Sequence, residues 1–462
     1  MEEFEVVVIG GGPAGENAAG RCADGGLRVA LVERELVGGE CSYWGCVPSK
    51  TLIRPGDALA AARRVPGAAA AVVNGVDVAA ALARRDEMTG AWHDDGALPW
   101  LHEKGIALVR GDARITGERE VTVEAPAGAR VLRATRAVVL AVGTSAVVPP
   151  VDGLREISPW DNRAATSAKE VPRRLLVLGG GAIGVELAQA FRRLGAEQVT
   201  LVEGQDRLLA REEPFVGAEL RRALEAEGVT VLTGARLARA RRPGPGGPVL
   251  ATLEDGREVE SDEVLVAVGR RPATGALGLE SVGLAPGRYV DVDDAMQARG
   301  VPGGWLYAIG DCNGRALLTH MGKYHGRIAG DVILGRDVRD RASDRAVPRV
   351  TFTDPQVCAV GLTEEQAGER GLRVRTVTYG TGDVAGSSVQ GLGLTGTAKL
   401  VVDEGRRVVV GATFTGPGLQ ELLHSATVAV VGEIPLDTLW HAVPSFPTVS
   451  EVWLRLLESY GL

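Results

Sequence analysis

Apolar runs that end in glycine recur along this chain. Two of them share one arrangement, VVVIGGGPAGENAAG at 6–20 and LLVLGGGAIGVELAQ at 175–189. Each begins with a continuous apolar run, passes through Gly-x-Gly-x-x-Gly and continues as an alanine-rich helical stretch. A short apolar run bounded by glycine is typical of a buried strand of a parallel sheet. The pattern therefore predicts one strand-loop-helix unit that occurs twice.

Each unit is followed by a second apolar run that ends in an acid. Glu33 in VALVER lies 23 residues after Gly10, and Glu203 in VTLVEG lies 24 residues after Gly179. Strand, glycines, helix, strand and terminal acid in this order predict a dinucleotide-binding βαβ unit. The first glycine permits the tight turn, the second lets the backbone approach a pyrophosphate and the third lets helix pack on strand. These three positions are Gly10, Gly12 and Gly15 in the first unit and Gly179, Gly181 and Gly184 in the second.

Three further segments extend the pattern. AVVLAVGTSAVVPPVDGL at 137–154 and EVLVAVGRRPAT at 263–274 predict strands that end in glycine and cross between domains. The segment at 303–333 predicts a strand, a Gly-Asp turn and a helix, and Asp311 in that turn can offer a carboxylate to a hydroxylated chain. From VPRVTFTDPQVCAVGLT onward, alternating strands and longer helices without another phosphate loop predict a separate carboxy-terminal domain.

Composition narrows the class of protein. A chain of 462 residues suggests two to four domains, and its net charge of −8 gives no basic field for nucleic acid. No apolar run reaches the roughly 18 residues that a membrane span requires. The five cysteines are too few for a disulfide scaffold, and the start of the chain, MEEFEVVVIGG, has no basic region or cleavage site. We therefore expect a soluble, cytoplasmic protein that binds neither nucleic acid nor a membrane.

The candidate chemistry lies in GGECSYWGCVPSK at 38–50, where Cys41 and Cys46 are five residues apart. In a regular helix such a pair is separated by about 7.5 Å along the axis and about 140° around it, which is poor geometry for a disulfide. Pro48 favours a helix that starts near Cys46, so 41–46 is predicted to be a turn that brings the sulfurs together. The alternatives are two buried thiols or a zinc site, and no second ligand pair at metal spacing accompanies the cysteines.

These motifs resemble those of the pyridine nucleotide-disulfide oxidoreductases, the group that includes dihydrolipoamide dehydrogenase, glutathione reductase and mercuric reductase. The resemblance rests on GGGPAG, CSYWGCVPSK, AVGT, GGGAIGVE, VGRRP, YAIGD, FTDPQVCAVGLT and FPTVSE, in family order. It implies an α/β fold with FAD on the first unit, NAD(P)H on the second and a carboxy-terminal α+β domain that forms a homodimer. The expected FAD-binding domain has two parts, 1–148 and 271–345. The expected NAD(P)-binding domain covers 149–270, and the expected interface domain covers 346–462.

The resemblance also implies residue roles. Cys46 would face the flavin as the charge-transfer thiolate, and Cys41 would exchange with the substrate, while Lys50 and Glu186 would pair beside the flavin N5. The expected FAD-binding residues are Gly10, Gly12, Gly15, Glu33, Lys50, Gly143 and Asp311, the last of them on the ribityl chain. The expected NAD(P)-binding residues are Gly179, Gly181, Gly184, Glu203 and Gly269.

The choice between NADH and NADPH depends on Glu203. A carboxylate at this position accepts hydrogen bonds from the adenosine 2'-hydroxyl and repels a 2'-phosphate, which favours NADH. Arg207, four residues on, is a guanidinium that could serve a phosphate. NADH is therefore the expected donor, with NADPH as the alternative.

The chain departs from the family pattern in HAVPSFPTVSEVWLRLLE. Glutathione reductase and dihydrolipoamide dehydrogenase carry a catalytic histidine before Pro-Thr, but here Phe446 occupies that position, whereas the acid expected to orient the histidine remains as Glu451. His441, five residues upstream, is a candidate substitute. Because acid-base catalysis typically contributes about 10²–10⁴-fold, ordinary disulfide exchange should be slow without it.

The second departure is Tyr43-Trp44 between the cysteines, which either lines an aromatic substrate pocket or packs beneath the flavin domain. The sequence leaves three functions open. The first is reduction of a disulfide, as by dihydrolipoyl dehydrogenase, with His441 or water as the proton source. The second is reduction of a quinone, dye or metal ion that needs no base, and the third is a non-enzymatic flavin redox sensor.

Overall fold

A computed structural model of the protein describes residues 1–125, 128–244 and 246–462. The strands are, in chain order, β1 Glu2–Ile9, β2 Val29–Glu33, β3 Ala107–Arg110, β4 Asp112–Gly117, β5 Glu120–Ala125, β6 Gly128–Leu140, β7 Thr144–Ala146, β8 Arg174–Leu178, β9 Gln198–Glu203, β10 Val229–Thr233, β11 Leu237–Arg241, β12 Val249–Leu253, β13 Glu258–Ser261, β14 Glu263–Val266, β15 Arg270–Pro272, β16 Leu306–Ala308, β17 Arg349–Thr351, β18 Gln356–Gly361, β19 Val374–Gly380, β20 Thr397–Asp403 and β21 Val408–Gly416.

The α-helices are, in the same order, α1 Pro13–Asp24, α2 Gly39–Tyr43, α3 Cys46–Arg64, α4 Val78–Met88, α5 Leu98–Glu103, α6 Asn162–Thr166, α7 Ala182–Arg193, α8 Pro214–Ala226, α9 Thr319–Ile333, α10 Glu364–Glu369, α11 Ala385–Gln390, α12 Leu423–Val431, α13 Leu436–Leu439 and α14 Val452–Tyr460. None of the helices in the described part of the chain combines the length and the apolar character needed to cross a membrane.

The chain forms two compact units, each made of three stretches. The first unit comprises Met1–Pro48, Asp86–Val147 and Gly269–Ser343, and the second comprises Ser49–Arg85, Val148–Val268 and Asp344–Leu462. Residues 49–85, which the sequence analysis placed with the first domain, group with the second unit. The assignment of each stretch to FAD, NAD(P) or dimerisation stays a prediction.

The first unit is built on a sheet with the strand order β3-β2-β1-β6-β5-β4, to which β16 adds beside β6. Strands β1, β2, β3, β6 and β16 pair in parallel, whereas β4 and β5 form an antiparallel extension. The apolar run Val6–Ile9 lies at the centre and is fully buried, as expected for a parallel strand covered on both faces. The predicted strand, turn and helix at 303–333 are present as β16, the Gly310 turn and α9.

The second unit contains two kinds of sheet. A parallel sheet has the strand order β10-β9-β8-β14. Strands β11, β12 and β13, which lie between β10 and β14 in the chain, form a separate small antiparallel sheet. The carboxy-terminal part is an antiparallel sheet, β17-β18-β21-β20-β19, whose apolar side chains pack with those of α12 and α14. The predicted mixed α/β architecture with an α+β carboxy-terminal part is therefore confirmed.

Candidate active site

The cysteine pair lies in the first unit, at the break between α2 and α3. Cys41 is on α2, which ends at Tyr43, and Cys46 opens α3, so the turn predicted between the cysteines is present. Their Sγ atoms are 2.8 Å apart, and both residues are thiols in the structure. Cys46 is exposed and Cys41 is half-buried. The turn thus holds the two sulfurs at the proximity that dithiol-disulfide exchange requires.

The two thiols differ in their electrostatics. Cys41 Sγ donates to Cys46 Sγ, and this hydrogen bond, together with burial and the charge of Cys46, raises the pKa of Cys41. Cys41 therefore keeps its proton. Cys46 is the acceptor of that bond and is the first residue of α3, where the helix dipole favours a negative charge. This arrangement supports the prediction that Cys46 is the thiolate and Cys41 the exchanging thiol.

Thr319, which the sequence analysis did not single out, lies at the same pair. Its Oγ1 is 3.2 Å from Cys46 Sγ, although the two residues are 273 positions apart in the chain. Thr319 is the first residue of α9.

The aromatic residues between the cysteines have separate surroundings. Tyr43 is buried, its hydroxyl donates to Val37 O at 3.0 Å, and its own carbonyl accepts from Trp92 Nε1 at 3.0 Å. Trp44 is half-buried, with its ring centroid 5.7 Å from that of Tyr43. Of the two interpretations left open, packing inside the unit is the one that the structure supports for Tyr43.

The first glycine loop has the geometry of a phosphate-binding turn. Gly10 has a φ of 104°, and an added Cβ would lie 2.4 Å from Ala141 O. A Cβ on Gly15 would lie 1.9 Å from Gly10 O, so helix and strand approach too closely for any side chain there. A Cβ on Gly12, in contrast, would meet nothing nearer than 3.9 Å. Packing within the protein explains Gly10 and Gly15. The open space in front of Gly12 leaves room for a ligand to approach the backbone.

The acid that follows this loop is bound to it. Glu33 Oε2 accepts from Gly11 N at 2.6 Å and Glu33 Oε1 accepts from Glu35 N at 2.7 Å. These bonds hold the carboxylate beside the loop, at the end of β2. This is the position that a ribose-binding acid occupies in a dinucleotide fold.

The second loop repeats the geometry of the first. Gly179 has a φ of 106°, a Cβ on Gly184 would lie 1.9 Å from Gly179 O, and a Cβ on Gly181 would meet nothing within 4 Å. Glu203 accepts from Gly180 N at 2.5 Å and from Gln205 N at 2.6 Å. The internal repeat read from the sequence is thus a repeat in three dimensions as well.

Asp311 belongs to a polar cluster of the first unit. Its Oδ2 accepts from Thr144 Oγ1 at 3.0 Å, and burial raises the pKa of this carboxyl. Thr144 Oγ1 in turn accepts from Arg270 Nε at 2.8 Å. Gly143 and Gly269 precede the paired strands β7 and β15, which carry Thr144 and Arg270, so both of these predicted glycines lie at this cluster.

Lys50 and Glu186 are brought together in the second unit. Lys50 Nζ is 2.6 Å from Glu186 Oε2, and Glu186 Oε1 accepts from Phe352 N at 2.8 Å. The Lys50 ammonium also lies 4.8 Å from the centre of the Phe352 ring, within the range of a cation-π interaction. The predicted pair is therefore present, and its assignment to the flavin stays a prediction.

Comparison with known proteins identifies the family. Residues 4–326 match the model of the pyridine nucleotide-disulphide oxidoreductases, and residues 347–456 match the dimerisation domain of the same family. The chain is a pyridine nucleotide-disulfide oxidoreductase.

Relatives of this oxidoreductase carry several names. It is 31% identical to mercuric reductase from Staphylococcus aureus, over 97% of this chain and 81% of the relative. It is 33% identical to dihydrolipoyl dehydrogenase from Thermus scotoductus, over 99% and 98% of the two chains. It also resembles the Cu(II) complex of the HOCl-induced flavoprotein disulfide reductase RclA from Escherichia coli, with 26% identity, a TM-score of 0.86 and 99% of both chains covered.

The oxidoreductase uses FAD and NAD(P)H, as its family does, and the residues present fit these groups. The open space in front of Gly12 and Gly181, each at the first turn of a helix, suits a pyrophosphate at a helix N-terminus. Glu33 and Glu203 lie beside their loops, where ribose hydroxyls bind in this fold. The half-buried Asp311 carboxyl suits a polyhydroxy chain such as the ribityl group.

The carboxy-terminal segment assembles no acid-base pair within the described residues. Phe446 is 77% exposed. Glu451 is buried, its Oε1 accepts from Arg455 at 2.7 Å, and its Oε2 has no partner among the described residues. His441 is exposed, and its ring makes an edge contact with Trp440 but no hydrogen bond in the described structure. His441 therefore stands apart from any carboxylate that would orient it.

Sequence reasoning missed the residues that complete these sites, namely Thr319 at the cysteines, Phe352 at Lys50, and Thr144 with Arg270 at Asp311. Two of these residues had a local signal, because Thr144 and Arg270 directly follow the glycines of AVGT and VGRRP. Phe352 lies in the family motif FTDPQVC, but nothing in that motif names Lys50 as its neighbour. Thr319 carried only the signal of a helix start.

Proposed function

We propose that this oxidoreductase passes electrons from NADH, through FAD and the Cys41–Cys46 pair, to an acceptor that takes no proton from a protein base. We propose further that this acceptor is a metal ion that binds thiolates, such as Hg(II) or Cu(II). The observation that carries the proposal is Phe446 in the place of a catalytic histidine, with Glu451 bound to Arg455 instead.

The chain's own residues support a thiol-based transfer. Bound FAD would accept a hydride from the nicotinamide and hand two electrons to the disulfide. Cys41 would then hold the proton and Cys46 the negative charge, as their hydrogen bond favours. Exposure of Cys46 and partial exposure of Cys41 leave the pair open to an acceptor.

Thiolates are soft ligands, which suit a soft ion such as Hg(II) and the Cu(I) that forms when Cu(II) is reduced. Two sulfurs 2.8 Å apart can capture one ion, and the described residues gather no group of three or more His, Cys, Asp or Glu that would retain it as a resident metal. Oxidation of the pair from the Cys41 thiol and Cys46 thiolate to the disulfide releases two electrons and one proton, and two electrons reduce one Hg(II) to Hg(0) or two Cu(II) to two Cu(I). The names of the Staphylococcus aureus mercuric reductase and of the RclA Cu(II) complex connect relatives of this chain with the same two metals.

NADH is the proposed donor because Glu203 is fixed at the second loop by two backbone hydrogen bonds. Arg207, the competing candidate, donates to Ala210 O at 3.0 Å and lies 3.4 Å from Asp206 Oδ1. The Arg207 guanidinium is therefore engaged by groups of its own loop. A 2'-phosphate would meet the Glu203 carboxylate without that arginine to compensate it.

We also propose that the working form is a homodimer in the cytoplasm. Residues 347–456 match the family's dimerisation domain and carry exposed apolar side chains, which a second copy would cover. These side chains are Val389, Leu392, Val428, Val431, Trp440, Val443 and Phe446. A reducing compartment would keep the cysteine pair available for turnover.

The acceptor is tested by steady-state oxidation of NADH by the holoenzyme with Hg(II), Cu(II), lipoamide or a quinone. We expect turnover with the metal ions, slow turnover with lipoamide and a lower kcat/KM for NADPH than for NADH. In Cys41→Ser, metal-dependent turnover should fall to the rate of a Cys41→Ser, Cys46→Ser double variant. The matched control is Cys22→Ser, which changes a buried thiol of α1.

Faster turnover with lipoamide than with either metal would contradict the proposal and favour a dihydrolipoyl dehydrogenase. Quinone turnover that survives Cys41→Ser, without metal turnover, would place the acceptor at the flavin. A holoenzyme that oxidises NADH with none of these acceptors would favour the sensor.

A further inference from the structure

Trp92 bonds the chain at the break between α2 and α3, in the same unit as the cysteine pair. Its indole Nε1 donates to the carbonyl oxygen of Tyr43, the last residue of α2, at 3.0 Å. The last carbonyls of a helix have no partner within it, and a continuous helix would offer this one to the N–H of residue 47. A donor from outside the helix therefore bonds the carbonyl at the point where the chain leaves α2.

The chemistry of the pair requires this break. In one continuous helix, Cys41 and Cys46 would lie about 7.5 Å apart along the axis and about 140° apart around it, which is poor geometry for a disulfide. In the structure their Sγ atoms are 2.8 Å apart, with Trp44 and Gly45 between the two helices. Whatever fixes the end of α2 therefore contributes to the distance between the sulfurs.

A second set of contacts holds the same stretch at its other end. Val37 N donates to Asp94 Oδ2 at 2.7 Å, and the Tyr43 hydroxyl donates to Val37 O at 3.0 Å. Asp94 itself is buried. Asp94 thus holds the chain before Cys41, and Trp92 holds it after Cys41.

The backbone that carries Trp92 has an uncommon conformation. Gly90, Ala91 and Trp92 have φ values of 56°, 49° and 60°, all in the left-handed region. This region is unfavourable for residues with a Cβ, because the Cβ comes too close to a carbonyl oxygen. Such a conformation persists where surrounding contacts hold it, and it is found most often at functional sites. The bond from the indole to Tyr43 O is one contact that holds it here.

We propose that Trp92 is a positioning residue of the redox pair. Its N–H holds the Tyr43 carbonyl at the helix break, and the break holds Cys41 and Cys46 at the distance from which a disulfide forms. Without the N–H the two thiols can move apart, and closing the disulfide must then restrict the turn again, at a cost in entropy. The inference rests on the proposed role of the Cys41–Cys46 pair and adds a residue that sets how readily the pair closes.

The test compares Trp92→Phe with the wild type, both as holoenzymes. Phenylalanine keeps an aromatic ring and removes the N–H. Each protein is equilibrated without oxygen in mixtures of reduced and oxidised dithiothreitol, and the fraction of Cys41–Cys46 disulfide is measured by thiol alkylation and mass spectrometry. As the protein disulfide forms, the disulfide of dithiothreitol breaks and takes up two electrons, together with the Cys41 proton and one proton from solvent.

We expect the equilibrium constant for the protein disulfide to fall about fivefold in Trp92→Phe, as is typical for the loss of one hydrogen bond. For a two-electron couple this is a rise of about 20 mV in the midpoint potential of the pair. Trp453→Phe is the matched control. It removes another indole N–H, which donates to Ser425 Oγ at 2.9 Å in the second unit, and it should leave the equilibrium unchanged.

Two results would overturn this inference alone. One is an equilibrium constant in Trp92→Phe that stays within about twofold of the wild type. The other is an equal fall in Trp453→Phe, which would attribute the effect to general loosening of the protein. If Trp92→Phe does not retain FAD, it is replaced by benzothienylalanine at position 92, which has the shape of tryptophan with sulfur in place of the N–H.

A wild type that forms no Cys41–Cys46 disulfide at any dithiothreitol ratio would overturn the proposed function together with this inference. The two failures are therefore distinguishable, and no electron acceptor of the enzyme enters the measurement.

Discussion

Glu451 is present although the histidine that it is expected to orient is replaced by Phe446. Its carboxylate is buried and shares one oxygen with Arg455, while the other oxygen has no partner among the described residues. A buried oxygen without a hydrogen-bond donor destabilises the fold. Glu451 Oε2 is the oxygen that a histidine at position 446 would be expected to use. Phe446, five residues before it, is exposed and carries no proton.

Phe446→His should therefore give the enzyme a base for disulfide exchange. We expect lipoamide turnover to rise by at least about 100-fold, the low end of what acid-base catalysis contributes. Metal-dependent turnover should change little, because the proposed acceptor takes no proton from this position. The measurement is steady-state NADH oxidation with each acceptor.

Phe446→Leu serves as the control, since it alters the same exposed position without adding a titratable group. Equal lipoamide rates in Phe446→His and Phe446→Leu would mean that the missing histidine does not limit disulfide exchange. That outcome would also remove the main support for an acceptor that needs no base.

At the scale of elements, α3 and α7 of the second unit face each other through a repeated ion pair. Lys50 meets Glu186, and seven residues further along both helices Asp57 accepts from Arg193 at 2.8 Å. A Cβ on Gly56 would lie 2.7 Å from Arg193 Cδ, so the glycine leaves room for the arginine to cross α3. The network orders both helices along two turns.

Asp57 should make stability depend on pH. Burial raises its pKa to about 6, with Asp354 and Glu227 adding to the shift and Arg193 opposing it. Between about pH 4 and pH 6 the folded state binds more protons than the unfolded state, so stability falls as the pH rises. We expect the melting temperature of the wild type to fall across this range relative to that of Asp57→Asn, and the difference to be constant above it.

The buried His325, whose pKa burial lowers to about 4, affects both proteins alike and cancels in the difference. Asp337→Asn, at an exposed aspartate, is the matched control and should track the wild type. A difference between wild type and Asp57→Asn that stays flat from pH 4 to pH 7 would contradict a raised pKa at Asp57.

At the scale of the whole molecule, the exposed apolar side chains of residues 347–456 are the feature that a single chain leaves unexplained. Val443 is 81% exposed, and Trp440 and Phe446 lie on the same segment. Exposed apolar groups that are concentrated on one stretch of chain mark an interaction surface. The match to the family's dimerisation domain supports the proposal that a second copy of this chain covers them.

Val443→Asp should therefore weaken self-association, because it places a charge where the proposed interface excludes water. We expect sedimentation velocity to show a monomer at concentrations where the wild type is a dimer. Val73→Asp, at an equally exposed valine outside residues 347–456, should remain dimeric. A dimeric Val443→Asp protein would exclude this segment from the interface.

Local patterns predicted much of this protein because they act over short stretches of chain. The two glycine loops, the acids at Glu33 and Glu203 and the break before Cys46 each follow from residues within one strand-loop-helix unit. The partners of the site residues did not follow in this way. Thr319 reaches Cys46 across 273 residues, and Phe352 reaches Lys50 only because the chain returns to the second unit in its last stretch.

The sequence by itself determined the family, the duplicated nucleotide-binding unit and the position of Phe446, since each is a matter of residue type at a fixed spacing. Tertiary structure decided which sulfur keeps the proton, which hydroxyl lies beside it and which backbone holds the Lys50–Glu186 pair. Those properties depend on distances of 2.6 to 3.2 Å between side-chain or backbone groups, most of them far apart in the chain, and spacing along the sequence does not specify such distances.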